Sequence, residues 1–525
     1  MKNKRYIAFV FLVFGFIVQI KAQEAICHFD RPFYFPGQFL HYAFYAHLPK
    51  DSCILNVQLL QEEREVDQHY QEIRNGYANG YFALPFDIPN GDYFVRMTVF
   101  SDKDATPFNL MTTPVTILPD NDPKQEGIRL AVDRTVTLDP SINIDIDDAF
   151  EKRQTKTCTI TVPNGMAGQM ISIAVRDKDL YPIGQSIREQ SFSTIDRDLS
   201  NYIPLIGSRR ITGKKANPKA FLFSCNPEQL NFRFNWVESS GDFIINMTPF
   251  YGDQEIYFID NGGNEIEVSI RDKQDLPTPA IDYVSDNSFN EIIEANNERK
   301  KIYQLFSRVE ENVLKDSAGY FEEILKPDMD IDVQDYAIRG KLVDLLKEVI
   351  TPFKFRKINE DEYRVKVLYE VLDLKYFYDS DPIFIINGMV TRDFSFIANL
   401  PLQDIKRLKI YAKLETIRDL KLVDIGGVGV LEMVDPLFSI SDEQRLPHTL
   451  VQGIQMPAKY PISVDTGSEI PQLKSLLFWM PDAILDAKGQ FTFMLPASDD
   501  ISNFEIEVVH PQSRSTGRRE IEIKL

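Results

Sequence analysis

The chain has 525 residues, of which 43% are hydrophobic and 26% charged, with no low-complexity run. That is enough for roughly three to five domains, each with its own core, and it excludes a chain dominated by disorder. The formal net charge of −20 argues against nucleic-acid binding and against docking of the whole surface on anionic lipid.

Residues 1–22 have the pattern of a secretory signal. Lys2, Lys4 and Arg5 precede an apolar run from Tyr6 to Ile20, and Lys21-Ala22-Gln23 offers a small residue for cleavage. The run is too short and too early for a spanning helix, so no transmembrane span is expected after its removal; an uncleaved anchor is the alternative. Glu24-Ala25-Ile26-Cys27 lacks the small residues a lipoprotein acceptor needs. Cleavage takes away four positive charges and no acids, leaving −24.

Residues 23–120 predict a β-sandwich. Period-two alternation is clear in Phe39 to His47, bounded by Pro36-Gly37 and Pro49, and later strands are expected at Cys53–Leu60, Gly80–Leu84, Asp92–Phe100 and Pro114–Leu118. Asn90-Gly91 is a hairpin-type dipeptide. Pro119 to Gly127 is turn-rich and charged, as in a linker. Strand signals return over 128–275, predicting one or two further immunoglobulin-like sandwiches, with clear runs at Thr157–Val162, Met170–Val175, Asp242–Met247 and Glu255–Ile259, and a tight turn at Asn261-Gly-Gly-Asn264. Plentiful aromatics, 37 Phe and 22 Tyr, fit large side chains between sheets.

The β pattern breaks at 286–330, a helical linker. Phe289, Ile292, Ile293, Ile302, Leu305, Phe306, Val309 and Val313 keep helical spacing behind Ser288 as N-cap. Residues 331–436 have α+β texture: a second apolar helix face from Leu342 to Ile350, stopped by Thr351-Pro352, then strands. The tail, 450–525, is again β, with strands at Leu476–Pro481, Gln490–Leu495 and Phe504–Val509 and a turn at Ala487-Lys-Gly489.

Two stretches carry resemblances. Phe29-Asp-Arg-Pro-Phe-Tyr-Phe-Pro-Gly-Gln-Phe-Leu-His-Tyr-Ala-Phe-Tyr45 and Tyr81 to Tyr93 resemble an MG2 domain of the macroglobulin type. The thioester sequence of the large macroglobulin inhibitors is missing, since Cys225 is followed by Asn-Pro-Glu-Gln229; the resemblance implies a structural sandwich and not protease trapping. Asp381-Pro-Ile-Phe-Ile-Ile-Asn-Gly-Met389, Leu402 to Ile410 and Gly426-Gly-Val-Gly-Val-Leu-Glu-Met-Val434 resemble, in order and spacing, the plug of TonB-dependent outer-membrane receptors. The residues carrying that likeness are Asn387, Gly388, Ile405, Gly426, Gly427 and Gly429. Only about ninety residues follow Val434, far short of a barrel of about 22 strands, and no TonB box is evident near residue 23. The tail is similar to the C-terminal β-domain of secreted proteins that combine both modules.

Candidate chemistry is thin. Cys27 and Cys53, then Cys158 and Cys225, are candidate disulfides in an oxidising compartment, with four free thiols as the alternative. His41 and His47 share a strand face but stand roughly 20 Å apart, too far to share a metal ion, and read as surface histidines. Asp328-Met-Asp-Ile-Asp332 lacks the Gly and final acid of a calcium loop. No nucleophile-elbow, zinc-protease or phosphate-loop motif is present, so neither a cofactor nor a metal is expected. The sequence thus predicts a mainly β, non-enzymatic envelope protein of tandem sandwiches with an inserted plug-like α+β domain, exported to the periplasm or outer membrane. Its expected partner is another envelope protein. The alternatives are an accessory role in TonB-linked uptake beside a separately encoded barrel, and a hydrolase with an unrecognised acidic site.

Overall fold

The structure is a computed structural model that describes residues 23–525 apart from 63, 121–128, 133–138, 183, 212–220, 227–229, 237–240, 261–265, 271–278, 280–281, 286–288, 306–313, 316–324, 337–339, 351, 360–361, 423–424, 462–466 and 468. Seven strands open it: β1 (Gln23–Phe29), β2 (Phe39–Ala46), β3 (Ser52–Gln61), β4 (Arg64–Arg74), β5 (Tyr77–Ala83), β6 (Gly91–Phe100) and β7 (Pro107–Ile117). Then come β8 (Arg129–Val132), β9 (Asn143–Asp145), β10 (Ala149–Glu151), β11 (Thr155–Thr161), β12 (Met170–Asp177) and β13 (Ile187–Phe192). A third group holds β14 (Ile203–Ile211), β15 (Phe221–Asn226), β16 (Asn231–Trp236), β17 (Asp242–Met247), β18 (Asp253–Asp260), β19 (Ile266–Ile270) and β20 (Asp282–Ser285). Helix α1 (Phe289–Leu305) and β21 (Leu314–Lys315) follow. The mixed region runs β22 (Met329–Asp332), α2 (Leu342–Glu348), β23 (Phe353–Lys357), β24 (Tyr363–Val371), β25 (Leu374–Phe377), β26 (Ile383–Ile386), β27 (Met389–Thr391), α3 (Phe394–Asn399), β28 (Ile405–Tyr411), α4 (Leu414–Asp419) and β29 (Val428–Met433). The last strands are β30 (His448–Gln452), β31 (Ala458–Lys459), β32 (Leu476–Ile484), β33 (Gln490–Pro496), β34 (Asn503–His510) and β35 (Ser515–Lys524).

The first sheet has the order β13-β1-β2-β5-β4-β3-β6-β7. It curls until its two edges meet, where the Thr112 backbone N–H donates to Gln190 Oε1 at 2.8 Å. Alternate residues of β2, Leu40, Tyr42 and Phe44, point into the enclosed core beside Leu55, Val57, Val95 and Met111. Each such fully buried aliphatic side chain stabilises the fold by about 1.5–3 kcal/mol. The opposite face of β2 is also buried: Ala43 and Tyr45 pack with Ala174, Trp479 and Val509 of a second sandwich. Asn90-Gly91 does not close a hairpin, because β6 pairs with β3 and β7 while β5 pairs with β2 and β4. The tight turn is at Asn75-Gly76, both at positive φ, between β4 and β5.

The domains are nested rather than strung in tandem. The sheet β10-β35-β34-β12-β32 faces β33-β11-β9. Their shared core joins Ile144, Ile160, Ile173 and Val175 to Phe478, Leu495, Ile506 and Ile523. The strands between Leu476 and Lys524 therefore supply half of a sandwich whose other half is 143–177. A third sandwich faces β17-β14-β19 against β16-β15-β18-β30, and β30 reaches it only after the mixed region has been completed. Residues 453–455 then clamp this sandwich to the first sheet. Gln455 Nε2 donates to Tyr81 O, and its Oε1 accepts from the Tyr81 N–H, filling the gap where β4 and β5 diverge. Alternating hydrophobicity marks strands but not their partners, which is why the nesting is invisible in the sequence.

In the mixed region a five-stranded sheet, β22-β28-β29-β26-β27, is accompanied by the three-stranded sheet β23-β24-β25 and helices α2 to α4. The expected apolar helix is α2, burying Leu342, Val343, Leu345 and Leu346. α1 is more than a linker. Its Phe289, Ile292 and Ile293 pack on Phe33, Phe35 and Tyr181, and Arg299 Nη1 pairs with Asp500 Oδ1 at 2.6 Å, strapping the first two domains together. Ile302 and Leu305 are exposed. Residues 1–22, most of the 119–127 linker, the 261–264 turn, Ser288, Phe306, Val309 and Val313 lie outside the described residues. The chain is mainly β, and no helix among the described residues is long and apolar enough to cross a membrane.

Candidate functional site

The motif Phe29-Asp-Arg-Pro-Phe-Tyr builds a sealed polar junction between the first two domains. Asp30 Oδ1 accepts from Tyr34 Oη at 2.7 Å and from the His41 N–H at 3.0 Å, while Asp30 Oδ2 pairs with Arg31. Arg31 reaches across to Ser475 Oγ at 3.2 Å and lies over the Tyr181 ring. Beside it, Glu507 on β34 accepts from Arg176 Nη1 at 2.8 Å and from Ser186, and pairs with Arg518 Nη2 at 2.6 Å. Burial works to raise the Glu507 carboxyl, but Arg176, His28 and Arg518 outweigh it and hold the group well below the usual carboxylate range. Removing these charges from water is tolerable only because each is paired and hydrogen-bonded.

One alignment in this junction has the connectivity of a nucleophile, base and acid. Ser172 Oγ is 2.7 Å from His28 Nδ1, and His28 Nε2 is 3.3 Å from Glu507 Oε2. Burial drives the His28 imidazole below its ordinary value, with Glu507 only partly opposing, so the ring is neutral at pH 7. All three side chains have 0% exposure. A reacting carbonyl has no place beside the hydroxyl, and geometry of this kind needs such a place about 3 Å away. The cluster is a latch.

The histidines differ from expectation in burial. His47 is exposed, but His41 is 4% exposed, wedged against Trp479 and Tyr460 and lowered to about 4 by desolvation. The second sandwich covers the face that alternation alone assigned to water. The disulfide expectation is corrected as well. Cys27, Cys53 and Cys158 carry free, buried thiols; three strands, β2, β5 and β4, separate β1 from β3 in the sheet order. Cys158 sits on β11 in the second sandwich, whereas Cys225 lies on β15 in the third, its side chain outside the described residues. Burial pushes the Cys53 and Cys158 thiols up to about 12, which leaves them unreactive.

The plug-like residues cluster in one sheet. Asn387 and Gly388, at φ 44° and 83°, close the β26–β27 hairpin, and Asn387 Oδ1 accepts from the Met433 N–H at 3.1 Å. Ile405 starts β28 after a 3-10 turn and is wholly buried. β26 runs parallel to β29, with Phe384 opposite Gly429, and a Cβ at Gly429 would stand 2.7 Å from the Phe384 ring. A Cβ at Gly426 would stand 2.3 Å from Ser380 O. At Gly427 the nearest atom to a Cβ would be Tyr411 O at 3.2 Å. These glycines serve close packing. The aspartates at 328–332 are likewise occupied. Asp328 caps the start of α4 through the Ala412 and Lys413 N–H groups at 2.7 and 2.8 Å, Asp330 forks onto Arg407, and Asp332 caps the next turn. Among the described residues no group of His, Cys, Asp or Glu is arranged to hold a metal ion.

Among the exposed apolar side chains of the described residues, several gather on one hairpin. Val365 and Val367 of β24 are buried in the mixed domain's core. The same face of the strand runs on into Tyr369 and Val371, opposite Tyr376 and Leu374 of β25, beyond the body of the domain. Leu372 at the turn is 91% exposed, Leu374 59% and Phe377 55%. The turn residues Leu372 and Asp373 both have positive φ, without the Asn-Gly signal that marks such turns, which is why the sequence did not announce it. A groove of about 530 Å³ between the first two domains is lined by Gln23, Tyr45, Tyr77, Met170 and Arg514, the last already paired with Glu24 and Glu189.

No protein family matches the sequence, and no curated protein does. Among solved structures that align with the chain, Escherichia coli alpha-2-macroglobulin activated by trypsin does so at 7% identity over 96% of this chain and 41% of that one, TM-score 0.22. Salmonella alpha-2-macroglobulin reacted with methylamine aligns at 7% identity over 96% and 39%, TM-score 0.23. A tetra-tandem repeat from the extending region of a large adhesion protein aligns at 6% over 93% and 96%, TM-score 0.14. The chain spans about two fifths of the macroglobulins' length, and these scores carry no function across.

Proposed function

We propose that this chain is a non-enzymatic scaffold of the cell envelope, exported and associated with the outer membrane, which binds a protein partner through the β24–β25 hairpin. The observation that carries the reading is that hairpin: large apolar side chains, on a two-stranded projection, exposed where a monomer gains nothing from them. The sealed Ser172–His28–Glu507 cluster supports the non-enzymatic part, since its chemistry has no access. Paired replacement Leu374→Ser/Phe377→Ser tests the proposal. The variant should melt as the parent does, yet fail to retain a stoichiometric partner from detergent-solubilised envelope; undiminished retention would refute the reading. The order of elements over 383–433, a hairpin at Asn387-Gly388 followed by a turn-to-strand segment, supports a second reading, an accessory role in TonB-linked uptake, in which the retained partner is a barrel.

A further inference from the structure

We infer a second binding site, independent of the hairpin: the groove between the first two domains takes a neutral mono- or disaccharide. Several elements hold the groove in shape. Gln23 opens β1, Met170 opens β12, Ala46 closes β2, Asn75-Gly76 is the β4–β5 turn, and Pro511, Gln512 and Arg514 belong to the turn between β34 and β35. Its volume of about 530 Å³ lies inside the range of small-molecule sites, about 300–1,000 Å³, which form preferentially where domains meet.

Three properties of the lining define the ligand. The first is apolar surface: Ile26 and Met170 line the groove together with the rings of Tyr45 and Tyr77, whose centroids are 5.2 Å apart. Tyr45 Oη donates to Pro481 O at 3.0 Å, and Tyr77 Oη accepts from Asn79 Nδ2 at 2.7 Å, which fixes the rings. A ring face packs well on the C–H side of a sugar. The second property is neutral hydrogen bonding. His47, Asn75 and Gln512 are exposed, and their side chains make no hydrogen bond among the described residues. Gln23 is half-buried, its Oε1 enclosed without a donor, an arrangement that costs free energy until a donor arrives. The last torsion of a glutamine is soft, so the amide turns readily toward one. Amides both donate and accept, as sugar hydroxyls do. The third property is the lack of a free charge. Glu24 and Arg514, the two charged residues of the lining, pair with each other, and Arg514 also pairs with Glu189.

Other ligand classes fit less well. A wholly apolar molecule leaves the amides unmet, and an acid or an amine finds no free counter-charge. A peptide strand finds no edge, because the strands that reach the groove are paired on both sides: β1 lies between β13 and β2, β2 between β1 and β5, β12 between β32 and β34, and β34 between β12 and β35. The experiment is saturation-transfer NMR with the full chain and a panel of neutral sugars: glucose, galactose, mannose, N-acetylglucosamine, cellobiose, lactose and chitobiose. The comparators are galacturonate, glucosamine, indole and a blocked alanine tripeptide. At least one neutral sugar should bind, with transfer strongest on its ring C–H protons and an affinity that salt leaves unchanged. Its Kd should rise on the order of tenfold in Tyr77→Leu and in His47→Ala/Gln512→Ala; the second variant alters exposed side chains alone and so keeps the fold. The hairpin variant Leu374→Ser/Phe377→Ser should bind the sugar as the parent does. The inference is overturned if no sugar binds, if a comparator binds equally, if both groove variants keep parental affinity, or if the hairpin variant loses the sugar. Partner retention by the hairpin is read separately, so either proposal can fail without the other.

Discussion

Glu507→Gln is the perturbation from which most can be learned about the junction. The carboxylate is fully buried and takes charge-assisted contacts from Arg176 and Arg518, together with Ser186. The amide keeps the shape and removes the charge. Arg518 is half exposed and turns to water. Arg176 is buried and keeps one ion pair, with Glu505 at 2.7 Å, and a hydrogen bond to Ser186 Oγ at 3.1 Å. Breaking a buried pair by neutralising one partner costs about 3–5 kcal/mol; the remaining Glu505 contact places the expected loss near the lower end, about 3 kcal/mol. The chain has two tryptophans, and Trp479 lies with its ring 5.3 Å from that of His28. In a Trp236→Phe background its fluorescence reports this junction during urea unfolding. The exposed control Glu520→Gln, which touches Lys178 at the surface, should cost below about 1 kcal/mol. A loss under about 1 kcal/mol for Glu507→Gln would show that the junction does not hold the domains together.

Other outcomes follow from the same physics. His28, His41 and His69 are all lowered by burial, His41 to about 4 and His69 to about 3, so the unfolded chain binds protons that the folded chain refuses. Stability should be fully present above about pH 6.5 and fall as pH drops through the interval below it, by up to about 1.4 kcal/mol per pH unit for each histidine; urea midpoints unchanged between pH 7 and 5 would contradict this. Cys27, Cys53 and Cys158 should resist a thiol reagent in the native protein and react in urea, and disulfide-linked peptides from native material would be the contrary result. Gly426→Ala should destabilise by several kcal/mol through its clash with the Ser380 carbonyl. Gly388→Ala meets nothing within 4 Å and should cost about 1 kcal/mol for its positive φ alone; equal melting temperatures for the two would refute the packing argument.

Strands such as Phe39–Ala46 and Asn503–His510, the α2 face and the Asn387-Gly388 turn were legible because each is written in local periodicity or turn chemistry. Partnership was not. Nothing in Met170–Asp177 says that its neighbour is Asn503–His510, more than three hundred residues on. Asp30 and Arg31 stood out as a motif, yet their burial depends on a second domain covering the first, so His41 read as a surface residue. The β24–β25 hairpin was missed for a complementary reason. Val365 and Val367 look like any core strand, and only the structure shows that the stripe continues past the core into Tyr369 and Val371.

The central claim, that a rigid nested scaffold works by presenting this hairpin, is tested most directly by site-specific photo-crosslinking in intact cells. A benzoylphenylalanine at Leu374 should give one discrete adduct to a protein, while the same group at Met494, equally exposed on the second sandwich, should give none. Identical adduct patterns at both positions, or none at Leu374, would contradict the account.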